Sequence, residues 1–216
     1  MKKEVISSLE KWYDSVNSPV ARLRKTVEVI AKKVKDVPEW VVVLIAALIS
    51  TRTKDDVTSD ALKRLFEHLD YTFFNLDDMP LEEITQILKP VGFYRVKAKN
   101  LKKLVRTFSN EDVFSIKPDY DYLVSLSGVG RKVARIVLAF LGEGVLSVDT
   151  HVKRITERFA GREMKVEEIE EFWDNNPAIN PMLVALGQLI CTPRATNCSK
   201  CPISKWCTSS VTKLGR

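Results

Sequence analysis

The chain has 216 residues, 45% of them hydrophobic, which is enough for one domain or two small ones with a real core. Its formal net charge is +6, so its binding partners depend on how the charge is distributed. The longest apolar run, residues 40–49, is too short to cross a bilayer, so we expect a buried helix there and no membrane role. The first residues are basic but lack an apolar core region, which predicts no secretory signal and an intracellular, cytoplasmic location.

Apolar residues recur at helical spacing almost throughout, with Pro or polar residues at the starts and Gly at the stops. We therefore predict an all-α protein, because no segment alternates in the way that a strand would. No Gly/Ser linker divides the chain, so two domains would have to share long helices. In chain order, the predicted helices cover residues 38–50, 57–69, 80–89, 94–108, 121–126, 132–141, 150–160, 166–175 and 181–190.

Two segments carry basic residues and no acidic ones. Residues 89–110 contain seven Lys and Arg, and residues 191–216 contain five. Each segment taken alone is explained by a solvated helix face. Together they favour a polyanionic partner such as nucleic acid, held through its phosphates.

A helix-hairpin-helix pattern lies between residues 123 and 134. A short helix with Leu123 and Leu126 precedes two glycines, and a second helix follows them. Glycines let the backbone turn tightly and approach a surface, and the N–H groups that begin the second helix can bind a phosphate. An ordinary turn between helices is the alternative. The candidate residues for DNA-backbone binding are Gly128, Val129, Gly130 and Arg131.

Lys132 stands in the first turn of that second helix. The positive end of the helix macrodipole and partial burial would both favour a neutral amine there. A neutral amine can attack an electrophilic carbon and form a Schiff base. The alternative is a surface lysine whose charge extends into solvent.

Seventeen positions later, Asp149 precedes the helix predicted to begin near Thr150. Capping of that helix alone would explain an aspartate here. A carboxylate at a helix N-terminus also stays ionised, so it can stabilise positive charge or accept a proton. For His151 we favour a structural or phosphate contact over acid–base catalysis.

All four cysteines lie in the last part of the chain, at the spacing C-x6-C-x2-C-x5-C. Cys191, Cys198, Cys201 and Cys207 can together hold one inorganic centre. Thiolates at such uneven spacing suit a cubane iron-sulfur cluster, and zinc is the second choice because only one pair has the spacing of a zinc knuckle. Disulfides are the third choice, since nothing points to an extracellular protein.

Residues 126–132, residues 148–151 and the cysteine segment, in this order and separation, resemble endonuclease III of the helix-hairpin-helix DNA glycosylase superfamily. The similarity covers nearly the whole chain. It implies two helical domains with a DNA cleft between them. One is a six-helix barrel over residues 33–144, with the hairpin at about 121–134; the other is an iron-sulfur cluster domain built from residues 1–32 and 145–216.

The resemblance also implies the chemistry. In that family the lysine matching Lys132 attacks the sugar C1′ of a damaged nucleotide, and the aspartate matching Asp149 assists. The expected protein is a bifunctional DNA glycosylase and AP lyase of base excision repair that removes oxidised pyrimidines from double-stranded DNA. A [4Fe-4S] cluster on the four cysteines is implied too. Arg194 and Lys200 of the cysteine loop are expected to contact phosphates, and we expect a monomer.

Two turns are candidates for the side chains that fill the space left by an extruded nucleotide. Arg52 stands where the family often has a polar wedge such as glutamine, and it could instead contact a phosphate. Phe93 stands where the family often has an aliphatic residue, and it could intercalate or belong to the core.

Two rival functions remain open at this point. One is a monofunctional glycosylase for uracil or mismatched bases, against which Lys132 argues, because such relatives generally lack the lysine. The other is a non-enzymatic iron-sulfur protein that binds DNA, in which Lys132 would only touch a phosphate.

Overall fold

The computed structural model describes residues 1–143 and 145–210. In these residues the secondary structure is helical, with one 3-10 turn at Cys198–Lys200 and one isolated antiparallel bridge between Cys191 and Thr196. The prediction of an all-α protein is confirmed. In chain order, the helices are α1 (Lys2–Ser15), α2 (Pro19–Lys33), α3 (Glu39–Ser50), α4 (Asp55–His68), α5 (Asn75–Asp78), α6 (Leu81–Ile87), α7 (Tyr94–Phe108), α8 (Tyr120–Ser125), α9 (Arg131–Phe140), α10 (Thr150–Ala160), α11 (Val166–Phe172) and α12 (Ile179–Leu189).

Most predicted helix bounds agree closely with the structure. Those of α7 and α10 agree at both ends. The helix predicted over 166–175 stops earlier, at Phe172, because Asp174 and Asn175 adopt φ of 53° and 52°, a left-handed conformation that an α-helix does not continue through. The predicted segments do not include α1, α2 or α5; α5 has only four residues, too few to show a helical period.

The chain divides into two compact units, and the boundary between them falls inside α2. The central unit is Arg22–Glu143, and the terminal unit is Met1–Ala21 with the chain that follows Glu143. The identification of these units with a barrel domain and a cluster domain stays a prediction. Within the described ranges, none of the helices has the length and hydrophobicity that a membrane span requires.

The core of the central unit forms around α3. Residues 40–49 are all buried, as expected from their apolar run, and α3 packs against α4, α7 and α9. Each fully buried Val or Leu contributes roughly 1.5–3 kcal/mol of hydrophobic stabilisation. A helix that is apolar on every side can only be stable in such a position, so the sequence of α3 makes it the scaffold for the turns at its end.

The terminal unit has its own hydrophobic core. α12 packs against α1 and α10, and α11 packs against α10. Val5 and Leu9 of α1 are buried in the same core as Trp173 and Ile203. The hydroxyl of Ser8 donates to the carbonyl of Pro202 at 2.9 Å. The N-terminal helix is therefore held against the segment that carries the cysteines.

Candidate active site and cysteine centre

The hairpin predicted from the sequence is formed by α8, a tight turn and α9 of the central unit. Asp119 caps α8, with its Oδ1 accepting the N–H of Tyr122 at 2.8 Å. Gly128 has a φ of 81°, and a Cβ at this position would collide with the side-chain amide of Asn100 on α7. The left-handed φ and the close approach both require glycine at this position.

Val129 follows the glycine and closes the turn. Its N–H donates to the carbonyl of Leu126 at 3.1 Å, and its side chain is buried. Its side chain therefore belongs to the packed interior and not to a DNA-contacting surface. Gly130, at the N-cap of α9, and Arg131 after it are both exposed. In the part of the chain that the structure describes, no side chain caps this helix start.

Lys132 is the second residue of α9, and its side chain is exposed. The expectation of partial burial is wrong. The reason is the helix face: the residues that α9 buries form a stripe, and Lys132 lies outside it. This stripe consists of Val133, Ala134, Val137 and Leu138. The side chain therefore lies at the surface of the central unit, and its chemistry cannot rest on desolvation by the folded chain alone.

Asp149 caps α10, as predicted. Its Oδ1 accepts the N–H groups of His151 at 2.9 Å and Val152 at 3.0 Å. The cap holds the carboxylate at the N-terminus of α10. Asp149 belongs to the terminal unit, whereas Lys132 belongs to the central unit.

His151 takes part in packing between two helices of the terminal unit. Nη2 of Arg154 donates to His151 Nδ1 at 3.1 Å, and the same guanidinium donates to the carbonyls of Gly187 and Cys191. An Arg donor requires Nδ1 to be the acceptor, so the proton of a neutral ring lies on Nε2. These contacts agree with the structural role favoured for His151.

Arg52 and Phe93 lie next to each other on the central unit. Arg52 is exposed, and the centre of its guanidinium lies 5.2 Å from the centroid of the Phe93 ring, which is within the range of a cation–π interaction. Phe93 is 57% exposed, so a core role for it is excluded. Both residues adopt left-handed φ, 52° and 58°, which is uncommon outside glycine and concentrates at functional sites.

The two side chains line one cavity together with Gly128 of the hairpin. Its volume is about 230 Å³, below the roughly 300–1,000 Å³ of typical small-molecule sites. A cavity of this size can contact one group of a larger ligand, but it is too small to enclose a whole cofactor. The full lining is Leu48, Thr51, Arg52, Phe93, Val96, Lys97, Asn100 and Gly128. The structure thus brings together Arg52 and Phe93, the two candidate wedge residues, and Gly128 of the hairpin, all three predicted to contact DNA.

Lys97 was counted only as one of the basic residues of 89–110. In the structure it is 4% exposed. Its Nζ donates to the carbonyls of Ile49 at 2.7 Å and Thr51 at 2.6 Å and to Oγ1 of Thr53 at 3.2 Å. Burial lowers the pKa of Lys97 to about 8. With all three donors engaged, this ammonium has no lone pair to offer as a nucleophile.

The four cysteines meet in the terminal unit. In the described residues no disulfide joins any two of them. They line one cavity of about 40 Å³, more than the roughly 15 Å³ that a single water requires. Nη1 of Arg158 donates to Cys191 Sγ at 3.2 Å, and burial raises the pKa of Cys201 to about 11. A bound metal centre would stabilise the thiolate of such a buried cysteine, and its proton would be released to solvent.

The spacing of these thiols bears on which group they would hold. Among the described residues, no three Cys, His, Asp or Glu side chains are grouped closely enough to hold a single metal ion. A structural zinc site needs four ligands in a tight tetrahedron, with Zn–S distances near 2.3 Å. Four cysteines that line one cavity supply the donor set that an iron-sulfur cluster uses, which is four thiolates.

Arg194 and Lys200 lie on the loop between the cysteines, and both side chains are exposed. The turn of this loop is stabilised locally by Thr192, whose Oγ1 donates to the carbonyl of Ala195 at 2.7 Å. The structure thus places both basic groups on the surface of the terminal unit, where a phosphate could reach them.

Comparison with known proteins agrees with these features. The sequence model of the HhH-GPD superfamily base excision DNA repair proteins matches residues 45–175. Endonuclease III homolog 1, chloroplastic, of Arabidopsis thaliana is 36% identical over 181 residues, covering 76% of this chain and 48% of the relative. Endonuclease III of Bacillus subtilis (strain 168) is 31% identical over 180 residues, covering 76% of this chain and 78% of the relative.

A solved structure of a trapped endonuclease III–DNA covalent intermediate, an estranged-adenine complex, is also similar. It is 26% identical, has a TM-score of 0.67, and the match covers 90% of this chain and 98% of that one. The chain spans about half the length of the plant relative and about four-fifths of the Bacillus one. On these grounds the chain belongs to the HhH-GPD superfamily of base excision DNA repair proteins and, within it, to the endonuclease III family.

Proposed function

We propose that the protein is a bifunctional DNA glycosylase and AP lyase of base excision repair. The observation that carries the proposal is the exposed side chain of Lys132, in the first turn of α9 and close after the glycine turn. A similar protein of this family has been trapped as a covalent intermediate with DNA, which is what an accessible nucleophile permits. The proposed partner is double-stranded DNA that contains oxidised pyrimidines or abasic sites, bound by a monomer.

The hairpin supplies a site for the DNA backbone. The first N–H groups of α9 have no partner within the helix and point along its axis, so they can bind a phosphate. The exposed side chain of Arg131 adds positive charge at the same place. A contact of this kind carries no sequence information, so it positions the strand without selecting its bases.

Lys132 is the proposed nucleophile. Its deprotonated amine attacks C1′ of the damaged nucleotide, the bond from C1′ to the base breaks, and the base leaves with the electron pair. The C1′–O4′ bond then breaks, O4′ takes the electron pair and a proton, and C1′ becomes the carbon of a protonated imine, which makes the C2′ hydrogen acidic. β-Elimination then removes that proton and breaks the bond between C3′ and the phosphate oxygen, so the 3′ phosphate leaves and the strand is cut. The released base and the leaving phosphate each take the bonding electrons, so the sequence of steps needs no oxidant.

Asp149 is the proposed partner of this reaction. The cap fixes this carboxylate at the start of α10, and a carboxylate can accept the proton of the lysine or stabilise the positive charge that develops on the sugar. Capping and catalysis are compatible, because the two cap bonds share Oδ1.

Arg52 and Phe93 are the proposed wedge. A base inside a duplex cannot reach an active site, so the damaged nucleotide must rotate out and something must take its place. Phe93 is exposed and aromatic, and can stack on a base; Arg52 can donate hydrogen bonds to the base that has lost its partner.

The proposed cofactor is a [4Fe-4S] cluster, held by Cys191, Cys198, Cys201 and Cys207. When bound, the cluster would cross-link the cysteine loop through its four thiolate ligands. No step of the base-removal reaction requires it. The loop presents Arg194 and Lys200 as further phosphate contacts.

The test is single-turnover incubation with duplexes that contain thymine glycol, uracil or an abasic site, with and without borohydride. We expect strand cleavage and a trapped protein–DNA adduct on thymine glycol and on the abasic duplex. Lys132→Ala should abolish the adduct. Lys117→Ala, which removes another exposed lysine of the central unit outside the hairpin, should not.

Each other outcome points to a specific rival. Release of uracil without a trapped adduct would indicate a monofunctional glycosylase. Binding of all three duplexes without base release or an adduct would indicate a DNA-binding protein that is not an enzyme. An adduct that persists in Lys132→Ala would move the nucleophile to another residue.

A further inference from the structure

The end of α3 is capped in an unusual way. Ser50 and Thr51 donate their hydroxyls to the carbonyls of Ala47 and Leu48, at 2.8 and 2.9 Å. The Lys97 ammonium then binds the carbonyls of Ile49 and Thr51. Carbonyls at a helix C-terminus lack intrahelical partners and are usually satisfied by water or by a glycine turn. Here a buried positive charge takes that role.

The residue that follows this cap is Arg52. A left-handed residue directly after a helix is usually glycine, because a Cβ is strained there, yet Arg52 adopts a φ of 52°. Such a conformation persists only when its surroundings hold it. Lys97 contacts the chain on both sides of Arg52, at the Thr51 carbonyl and at Thr53 Oγ1.

The same contacts link two turns: the one after α3 that contains Arg52, called here the Arg52 turn, and the one before α7 that contains Phe93, called the Phe93 turn. Thr53 Oγ1, which accepts from Lys97, also accepts the N–H of Gly92 at 3.1 Å. A Cβ at residue 92 would collide with the carbonyl of Arg52, so the two turns are in direct backbone contact. The position of Phe93 relative to Arg52 is therefore defined by Lys97, Thr53 and Gly92.

A buried ammonium is a costly way to satisfy carbonyls. Removing a charge from water carries a desolvation penalty that an apolar residue of similar volume would avoid. The effect is visible in the pKa of Lys97, which burial lowers to about 8. Stability alone does not explain why a lysine stands at this position. A need to hold two exposed side chains in one geometry, each on a residue with a strained backbone conformation, does explain it.

We propose that Lys97 is a positioning residue that fixes Arg52 and Phe93 side by side for contact with the base left without a partner in the opposite strand. This inference rests on the proposed function, because it assumes that the nucleotide is extruded. Lys97 itself does not touch the DNA in this proposal, since its ammonium is buried and its three donors are occupied.

The experiment compares binding to a duplex with a tetrahydrofuran abasic analogue and to an undamaged duplex, measured by fluorescence anisotropy. Lys97→Met should lower the ratio of the two affinities by about tenfold, since it removes hydrogen bonds from a charged donor. Arg52→Ala should lower the ratio similarly, and the double variant should lose no more than either single variant. Additive losses would overturn the proposal.

Lys102→Met is the matched control. Lys102 lies on the same helix and also donates to two carbonyls, those of Leu76 and Asp77, away from the Arg52 turn. We expect this variant to lose thermal stability without a change in the affinity ratio. An equal fall in the ratio for Lys102→Met would show that loss of stability, and not positioning, is being measured.

A second variant covers the case in which Lys97→Met does not fold. Thr53→Val removes the hydroxyl shared by Lys97 and Gly92 with little change in volume, and should lower the affinity ratio in the same direction. Borohydride trapping on an abasic duplex separates the two proposals. If wild type is trapped while Lys97→Met and Thr53→Val keep its affinity ratio, the positioning role is wrong and the proposed function stands. If wild type is not trapped, the proposed lyase function fails, and the positioning role is still decided by whether Lys97→Met and Thr53→Val lower the affinity ratio.

Discussion

The guanidinium of Arg52 lies over the exposed ring of Phe93, with 5.2 Å between the guanidinium carbon and the ring centroid. The two residues are 41 positions apart in the chain and both adopt left-handed backbone conformations. The Phe93 ring is exposed to solvent, contacts the Arg52 guanidinium and lines a cavity beside the hairpin turn. In this position it can stack on the bases that flank an extruded nucleotide.

The first prediction concerns Phe93. Phe93→Ala should reduce single-turnover base release from a thymine glycol duplex by about tenfold to a hundredfold, because stacking of a base on an aromatic ring contributes about 1–3 kcal/mol. Phe114→Ala is the control, since Phe114 is also a highly exposed phenylalanine of the central unit, at 61%. Equal losses in the two variants would show that Phe93 has no special contact with DNA.

The second prediction separates the two roles of Asp149. Asn is as good an N-cap as Asp, so Asp149→Asn should keep the bonds to His151 and Val152 and leave the melting temperature nearly unchanged. Turnover should fall by about a hundredfold or more, because the amide cannot accept a proton. Asp149→Ala should in addition cost about 1 kcal/mol of stability through loss of the cap. Wild-type turnover in Asp149→Asn would reduce Asp149 to a structural cap.

The third prediction concerns the cysteine centre. Protein purified without air should be brown and contain iron, and Cys198→Ser should lose both colour and iron, because it removes one of four thiolate ligands. The measurements are the visible absorption spectrum and metal analysis. Ser199→Ala, next to the ligand, should keep the colour. A colourless parent protein that contains zinc would contradict the cluster assignment.

The fourth prediction is the pH dependence that Lys97 brings to stability. Its pKa is about 8 in the folded protein against 10.5 for an ordinary lysine, so between these values the unfolded chain binds more protons. Stability from this group therefore rises with pH from about 8 to 10.5, by up to about 3 kcal/mol. Below pH 8 both states are protonated and the contribution is constant.

This dependence is measured as the difference in unfolding free energy between wild type and Lys97→Met across that pH range. We expect this difference to change with pH, because burial lowers the pKa of Lys97 in the folded chain. If the unfolding free energies of wild type and Lys97→Met ran parallel across this pH range, the pKa of Lys97 would be the same in the folded and unfolded chain.

The sequence alone was sufficient for those features that depend on neighbours within a few positions. The buried helix over residues 40–49, the Gly128 turn and the Asp149 cap are of this kind, because helical period, glycine conformation and capping act over about one turn of helix. The family was also accessible from the sequence, since its motifs are short segments in a given order.

Other features required the tertiary structure. The burial of Lys97 depends on carbonyls about 46 positions away, and the contact of Arg52 with Phe93 depends on two turns from different helices. The exposure of Lys132 depends on which face of α9 packs against α3. Composition cannot distinguish one lysine of a basic segment from another; only the folded chain decides which of them is removed from water, because desolvation depends on all the atoms that surround the charge.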